Sequence, residues 1–248
     1  MLAHDSSLER DSRVDPLSIE LSIVVPAFNE EANLAPVIKR TAAALEAALP
    51  PGGYEIVIVD DGSRDGTGRV ADELAGLLPQ VQVVHHSSNQ GFGAALRSGY
   101  GRARGHYCAV IPADGEVGIE QALTLFAALG DADVVISRRV RSVSTGREVL
   151  TKVWNVLMTL LAGADLRGRD GIYVIRTSLV QQMTLHSSTG LVNLEILLQC
   201  HQRGVRINEG LMYASPRLSG ESKVTNVRTV VKVLWEMVKL RFARSGRS

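Results

Sequence analysis

The chain has 248 residues, of which 45% are hydrophobic and 21% are charged, so it can bury the core of one large α/β domain. Its 27 Lys and Arg residues nearly balance its 26 Asp and Glu residues, which excludes a general nucleic-acid-binding surface. Two cysteines cannot form a disulfide framework and indicate a reducing, cytoplasmic setting. No run reaches the roughly 18 apolar residues that a membrane span needs, so we expect a protein that is soluble or at most peripheral to a membrane.

The first half of the chain alternates short Val- and Ile-rich runs with amphipathic stretches. The runs predict strands at Leu21–Pro26, Glu55–Val59, Val81–His85, Tyr107–Ile111 and Val134–Ser137. The stretches between them predict helices at Leu34–Leu49, Gly66–Leu78, Gly93–Arg104 and Ile119–Leu129. Alternation of this kind predicts a mostly parallel, Rossmann-like sheet with right-handed crossovers and flanking helices.

The rhythm changes after residue 138. A helix at 148–162, a short strand, two helices, a strand near 206–213 and a terminal helix from Val227 are expected there. We interpret 1–19 as a flexible leader, because it is polar and lacks the apolar core of a signal peptide. Residues 20–224 then form one domain, with a nucleotide-binding half at 20–138 and an acceptor-side half at 139–224, followed by a basic amphipathic helix at 225–248.

Paired carboxylates, Asp60 and Asp61, come directly after the second predicted strand. Acidic groups at the carboxyl ends of parallel strands mark the crevice where open α/β sheets bind ligands. The sequence DDGSRDGT is also good turn and helix-cap chemistry. A turn does not explain two adjacent like charges, so we expect at least one of the pair to bind a ligand, such as the base or ribose of a nucleotide.

A second acidic pair follows the fourth predicted strand in HYCAVIPADGE. In an extended loop, residues i and i+2 point the same way, so Asp114 and Glu116 could face one cation. Mg²⁺ and similar hard ions take few protein carboxylates and fill their shell with water and substrate phosphates. The alternative is a solvated acidic turn.

Glycines and basic residues supply the other candidates. In NQGFGAALRSG the third glycine of the dinucleotide fingerprint is absent. Gly91 and the small residues after it are better interpreted as packing a helix tightly on the sheet, with backbone amides near the ligand. Arg138 could neutralise a phosphate, since a guanidinium binds phosphates in a bidentate manner. In PRLSGESK the basic pair Arg217 and Lys223 fits a loop that closes over an anion, and a plain surface loop is the alternative.

Together these segments resemble family 2 of the inverting glycosyltransferases, which have the GT-A fold, and within it the dolichol- or polyprenyl-phosphate glycosyltransferase branch. The matching segments are VPAFNEE, VDDGSRDGT, NQGFGAALRSG, PADGE and SRR, with LVNLEILLQ and PRLSGESK matching the branch specifically. The resemblance implies that Pro26, Phe28, Glu30, Asp60 and Asp61 hold the nucleotide.

The resemblance also implies a divalent metal, Mg²⁺ or Mn²⁺, held by a D-x-D-like motif. Pro112 stands where the first aspartate of that motif is expected, which leaves Asp114 with Glu116 as metal ligands. Asp114 and Arg138 are the implied catalytic residues, and Lys152 takes the place of a second arginine.

The implied acceptor is a polyprenyl phosphate, bound by Lys152, Glu195, Arg217, Ser222 and Lys223. A phosphate acceptor needs little general-base help, because its second pKa of about 6 leaves it largely ionised at neutral pH. The donor would be a GDP- or UDP-sugar. The alternatives are an enzyme of the same fold acting on a soluble hydroxyl acceptor, with Asp114 or Glu195 as base, and a catalytically impaired sugar-nucleotide-binding homologue.

The predicted terminal helix places Val and Leu near one face and basic residues mostly off it. Such a helix suits an anionic membrane surface at the cytoplasmic face of a membrane. Packing on the core or on the second subunit of a homodimer is the alternative.

Overall fold

In a computed structural model of the chain, residues 18–115, 117–140 and 172–213 are described. The strands are β1 (Leu21–Ala27), β2 (Tyr54–Asp60), β3 (Val81–His85), β4 (Tyr107–Val110), β5 (Val134–Val140), β6 (Tyr173–Arg176) and β7 (Ile207–Tyr213). The helices are α1 (Glu31–Ala48), α2 (Thr67–Leu77), α3 (Phe92–Arg102), α4 (Ile119–Ala127), α5 (Thr177–Gln181) and α6 (Val192–Gln202). The helices predicted at 148–162 and from Val227 lie outside the described residues.

The strands form one seven-stranded sheet in the order β3-β2-β1-β4-β6-β5-β7. Strands β1 to β4 are mutually parallel, β6 is antiparallel to both β4 and β5, and β7 is parallel to β5. The predicted mostly parallel sheet is therefore confirmed. Strand β5 is longer than predicted and includes Arg138, because its pairing with β7 continues to Val140 opposite Tyr213.

The chain reverses its direction of travel across the sheet next to β1. It moves outward from β1 to β2 and β3, and then returns to place β4 on the other side of β1. In open α/β sheets, ligands bind outside the carboxyl ends of the strands at such a switch point. The loops that follow β1 and β4 flank this position, and the loop that follows β2 is next to them.

The sheet is covered on both faces, and the alternation of side chains along each strand divides the core in two. Ile23 and Ile56 lie in the cluster that includes the buried side chains of α1, α2 and α4. Val24 and Val57, one residue further along, lie in the cluster that includes those of α3 and α6. Strands buried on both faces explain the continuous apolar runs in the sequence.

A buried carboxylate closes the amino edge of the sheet, opposite the switch point. Glu55, at the start of β2, is 1% exposed. It accepts hydrogen bonds from Oγ of Ser22 (2.7 Å), Nε2 of Gln82 (2.6 Å) and the backbone N–H of Arg104 (2.6 Å). The Arg104 guanidinium adds an ion pair at 2.8 Å. This network ties β1, β2, β3 and the segment after α3 together.

Candidate active site

Two loops at the carboxyl edge of the sheet are joined by bonds between side chains and backbone. The N–H of Asn29 donates to Oγ of Ser63 (3.0 Å), and the N–H of Glu30 donates to Oγ1 of Thr67 (2.8 Å). In return, the N–H of Arg64 donates to Oδ1 of Asn29 (2.9 Å). Asn29 has φ +53°, a left-handed conformation that Asn tolerates better than most residues. The loops after β1 and β2 are therefore held as one unit.

The residues that the resemblance places at the nucleotide lie on this unit. Pro26 is buried in β1, and its carbonyl accepts the N–H of Ala113 after β4 (3.2 Å). Phe28 and Glu30 are partly buried, and Oε2 of Glu30 accepts from Nδ2 of Asn33 (2.8 Å). The end of β1 thus contacts both neighbouring strand ends of the switch point.

Asp60, the last residue of β2, is 6% exposed. Its Oδ1 accepts the N–H of Ser63 (3.0 Å), and its Oδ2 lies 3.2 Å from Nδ1 of His85. Each carboxylate oxygen can accept two hydrogen bonds, so each retains capacity for a ligand donor.

Asp61 is more firmly held than Asp60 and is 3% exposed. Its Oδ1 accepts the N–H of Gln90 (2.9 Å) and lies 2.6 Å from Nδ1 of His86, and its Oδ2 accepts the N–H of Gly91 (2.8 Å). An ionised carboxylate can only accept, so Nδ1 of His86 carries a proton. Asp61 therefore fixes the loop between β3 and α3, a turn-forming role that we did not assign to it from the sequence.

Histidines 85 and 86 are the side-chain partners of the acidic pair, a contact that sequence reasoning did not assign. His85 is in register with Asp60, and its Nε2 lies 3.0 Å from Oδ1 of Asp72. Hydrogen bonding to Asp72, and secondarily to Asp60, raises the pKa of His85 above its usual 6.5. A signal was present in the sequence, because DD and HH end two consecutive strands and such ends meet at one edge of a parallel sheet.

Gly91 and Gly93 stand at the start of α3, which begins at Phe92. Gly91 has φ +96°, and a Cβ added to it would lie 2.5 Å from the carbonyl oxygen of Ser188. Only glycine fits this left-handed position at such a close approach. The expected packing of the helix on the sheet is seen at Gly99, where a Cβ would collide with the side chain of Val24 in β1.

Asp114 follows β4 at the switch point and is partly buried. The predicted extended loop is wrong: the N–H of Gly115 donates to the carbonyl of Pro112 (3.3 Å), and Gly115 has φ +71°. A turn of this kind removes the argument that Asp114 and Glu116 share a direction. Glu116 itself lies outside the described residues, and its part in a metal site stays a prediction.

A divalent ion remains compatible with the chemistry at this strand end. Within the described ranges, no three His, Cys, Asp or Glu side chains are arranged to hold an ion by themselves. Asp114 nevertheless supplies the hard oxygen that Mg²⁺ or Mn²⁺ prefers, and such ions need few protein carboxylates when substrate phosphates complete the shell. Pro112 offers no side-chain ligand. The donor set therefore fits an ion that binds together with a diphosphate.

The remaining predicted residues belong to the acceptor-side half or to β5. Arg138 lies in β5 directly after the buried Ser137. Glu195 on α6 is 3% exposed, and its carboxylate accepts the backbone N–H groups of His186 and Ser187. Lys152, Arg217, Ser222 and Lys223 lie outside the described residues, so their roles stay predictions.

The profile of the family described as "Glycosyl transferase family 2" matches residues 22–182 of the chain. The match runs from the second residue of β1 through β6 and α5, and it includes the acidic residues at the ends of β2 and β4. The chain belongs to glycosyl transferase family 2. The resemblance inferred from the sequence segments is thereby confirmed.

Curated relatives lie in the lipid-phosphate branch of this family. The chain is 34% identical over 173 residues to "Polyprenol monophosphomannose synthase" of Mycolicibacterium smegmatis, covering 64% of this chain and 63% of the relative. It is 29% identical over 211 residues to "Dolichyl-phosphate beta-glucosyltransferase ALG5A" of Trichomonas vaginalis, covering 79% of this chain and 65% of the relative. The chain thus spans less than two thirds of the length of either relative.

Solved structures confirm the GT-A fold predicted for this glycosyl transferase family 2 chain. Glucosyl-3-phosphoglycerate synthase from Mycobacterium tuberculosis, in complex with Mn²⁺, UDP and glucosyl-3-phosphoglycerate, has a TM-score of 0.67 at 19% identity, covering 88% of this chain and 80% of that one. The same enzyme in complex with Mg²⁺ and UDP has a TM-score of 0.64 at 17% identity. None of the helices in the described ranges has the length and hydropathy that crossing a bilayer requires.

Proposed function

We propose that this glycosyl transferase family 2 chain is an inverting hexosyltransferase that moves a sugar from a GDP- or UDP-sugar to a polyprenyl-phosphate-type lipid. The observation that carries the donor side is the convergence of three strand ends at the switch point of the sheet. Asp60 and Asp61 stand at the carboxyl end of β2, and Asp114 follows β4, on either side of the β1 loop. Oxygen acceptors gathered at that position suit a nucleotide diphosphate with a divalent ion.

The carboxylates after β2 would bind the nucleoside part of the donor. Among the described residues, their partners are backbone amides and two histidines, with no arginine or lysine. Asp60 keeps accepting capacity on both oxygens, so N–H groups of a base or hydroxyls of a ribose can be bound there. Asp61 would act on the same ligand through Gly91, whose left-handed turn it fixes.

The diphosphate would lie near the end of β4. Asp114, with Glu116, would hold Mg²⁺ or Mn²⁺, which when bound neutralises charge on the leaving diphosphate. Arg138 of β5 would add a fixed positive charge to the same oxygens. Such charges act most strongly where negative charge develops during transfer.

The acceptor proposal rests on the relatives and on simple acid–base chemistry. The curated relatives named above are a polyprenol monophosphomannose synthase and a dolichyl-phosphate glucosyltransferase. A lipid phosphate is already largely ionised near pH 7, so it can attack without a dedicated base. The buried Glu195 has both carboxylate oxygens bonded to backbone amides, which fits an acceptor that needs no proton removed.

Residues outside the described ranges would bind the lipid. Arg217, Ser222 and Lys223 would contact its phosphate together with Lys152, and the helix at 225–248 would hold the enzyme at the anionic inner face of a membrane. A homodimer through that helix is the competing arrangement.

A transfer assay, read beside thermal unfolding, tests the proposal. UDP- and GDP-sugars are offered with polyprenyl phosphate in vesicles, with Mn²⁺ or with excess chelator. We expect transfer to lipid that requires the ion, and we expect Asp114→Ala to abolish it while leaving the thermal midpoint nearly unchanged. Full transfer in chelator would remove the metal from the proposal. Transfer to a soluble hydroxyl acceptor, with none to lipid phosphate, would overturn the assigned acceptor.

A further inference from the structure

We infer that Glu195 is a positioning residue for the donor site, acting from the acceptor-side half through the segment 186–188 onto the first turn of α3. The inference rests on the proposed function for what the donor site binds. The contacts that carry it are all between described residues.

Glu195 is bonded in a way that suits neither a base nor a phosphate ligand. Its Oε2 accepts the N–H of Ser187 (2.9 Å), and both oxygens lie within 3.0–3.2 Å of the N–H of His186. With 3% of its surface exposed, the side chain is closed off from an incoming lipid. A buried carboxylate satisfied by backbone amides fixes the conformation of the segment that supplies them.

That segment is seated directly on α3. The Ser187 carbonyl accepts from the guanidinium of Arg97 (2.6 Å), and the Ser188 carbonyl accepts the N–H of Gly93 (3.0 Å). Gly93 has no room for a side chain, because an added Cβ would collide with the carbonyl of Ser187. The segment therefore contacts Glu195 through the N–H groups of His186 and Ser187, and it contacts α3 through the carbonyls of Ser187 and Ser188.

The opposite side of the same turn is held by the nucleotide-site carboxylate. Gly91, two residues before Gly93, donates its N–H to Oδ2 of Asp61 (2.8 Å). The first turn of α3 is therefore fixed between Asp61 and the segment 186–188. Weakening the hydrogen bonds of Glu195 should free this turn on one side. Affinity for the donor should then fall, although Glu195 does not contact the donor.

Amide hydrogen exchange by NMR tests the connection independently of any ligand. In Glu195→Gln, one amide oxygen replaces two carboxylate oxygens, and we expect the Gly91 and Gly93 amides to exchange at least about tenfold faster relative to Val24 in β1. Gly93→Ala disturbs the same contact from the α3 side, so it should also reduce the protection of these amides against exchange. Unchanged exchange at both glycines in Glu195→Gln would overturn the inference. An equal increase in exchange at Val24 would also overturn it, because the effect would then be global.

The matched control is Glu55→Gln, which replaces a second buried glutamate, at the amino edge of the sheet. It should lower stability without a selective change at Gly91 or Gly93. Titration with UDP and GDP in the presence of Mn²⁺ then separates a positioning role of Glu195 from a purely structural one. We expect Glu195→Gln to weaken nucleotide binding several-fold and to raise the donor KM more than it lowers kcat, and Glu55→Gln to leave affinity unchanged. If wild-type protein binds no nucleotide, the proposed function fails, while the exchange data still decide the role of Glu195.

Discussion

Strand β2 has buried carboxylates at both ends, and the two ends are bound by different kinds of partner. At the amino end, Glu55 is matched by the Arg104 guanidinium and by the side chains of Ser22 and Gln82. At the carboxyl end, Asp60 and Asp61 are bonded to backbone amides and to histidines 85 and 86. Both ends are 6% exposed or less.

The difference separates a structural carboxylate from a pair that is kept for a ligand. A permanent cation and several donors leave Glu55 little capacity to bind anything else. Amides and imidazoles hold Asp60 and Asp61 in place while leaving lone pairs available, and they add no permanent positive charge. Burial alone therefore does not distinguish the two roles, whereas the type of partner does.

The largest expected effect is on stability at the amino end. Glu55→Ala leaves the hydroxyl of Ser22 and the N–H of Arg104 without an acceptor, and an unsatisfied buried donor costs about 1–3 kcal/mol. We expect a loss of roughly 3 kcal/mol in the free energy of unfolding, measured in urea, with nucleotide affinity unchanged. A clear loss of nucleotide affinity in folded Glu55→Ala protein would contradict a purely structural role for Glu55.

The next effect is on binding at the carboxyl end. Asp61→Asn and Asp60→Asn each remove a charged hydrogen-bond acceptor, so we expect nucleotide affinity to fall by about 1.5–3 kcal/mol. Asp61→Asn should also lower stability, because three protein donors face that carboxylate. Calorimetric titration and urea unfolding measure the two losses. Unchanged affinity in both variants would reduce the pair to turn formers.

The smallest expected effect is a pH dependence of stability at the carboxyl end, which arises from His85. His85 lies between Asp72 and Asp60, and its pKa is raised above 6.5 mainly by Asp72. A raised folded pKa stabilises the protein below pH 6.5, and that contribution is lost as the pH rises through the folded value. Asp72→Asn should lower the pKa of His85, and its stability should differ most from wild type at low pH. An NMR titration of His85 that is unaffected by Asp72→Asn would contradict this.

The sequence was sufficient to predict the mostly parallel sheet, and it predicts a ligand site at the carboxyl ends of the strands. Buried parallel strands appear in the sequence as short apolar runs. The ends of those runs show which acidic residues stand at strand ends. The length of β5 could not be predicted, because pairing with the distant β7 extends it to Val140. The turn at Gly115 was missed because a left-handed glycine is not distinguished by periodicity from an extended one.

Contacts between distant residues account for what the sequence did not reveal about the site. Asp61 and Gly91 are 30 residues apart, and Arg97 and Ser187 are 90 apart. Local pattern indicated a carboxylate at one strand end and a glycine at one helix start, without the bond between them. Glu195 matched a branch-specific segment, yet its backbone partners depend on how the chain turns before α6.

The most direct test of the central claim is an NMR titration of the protein with UDP and GDP in the presence of Mg²⁺. The account predicts that shifts concentrate at the backbone amides of residues 28–31, 61–63 and 90–91, while those of Arg104 and Gly105 at the amino edge do not move. Shifts centred on Arg104 and Gly105, or an absence of shifts with both nucleotides, would contradict a donor site at the carboxyl edge of the sheet.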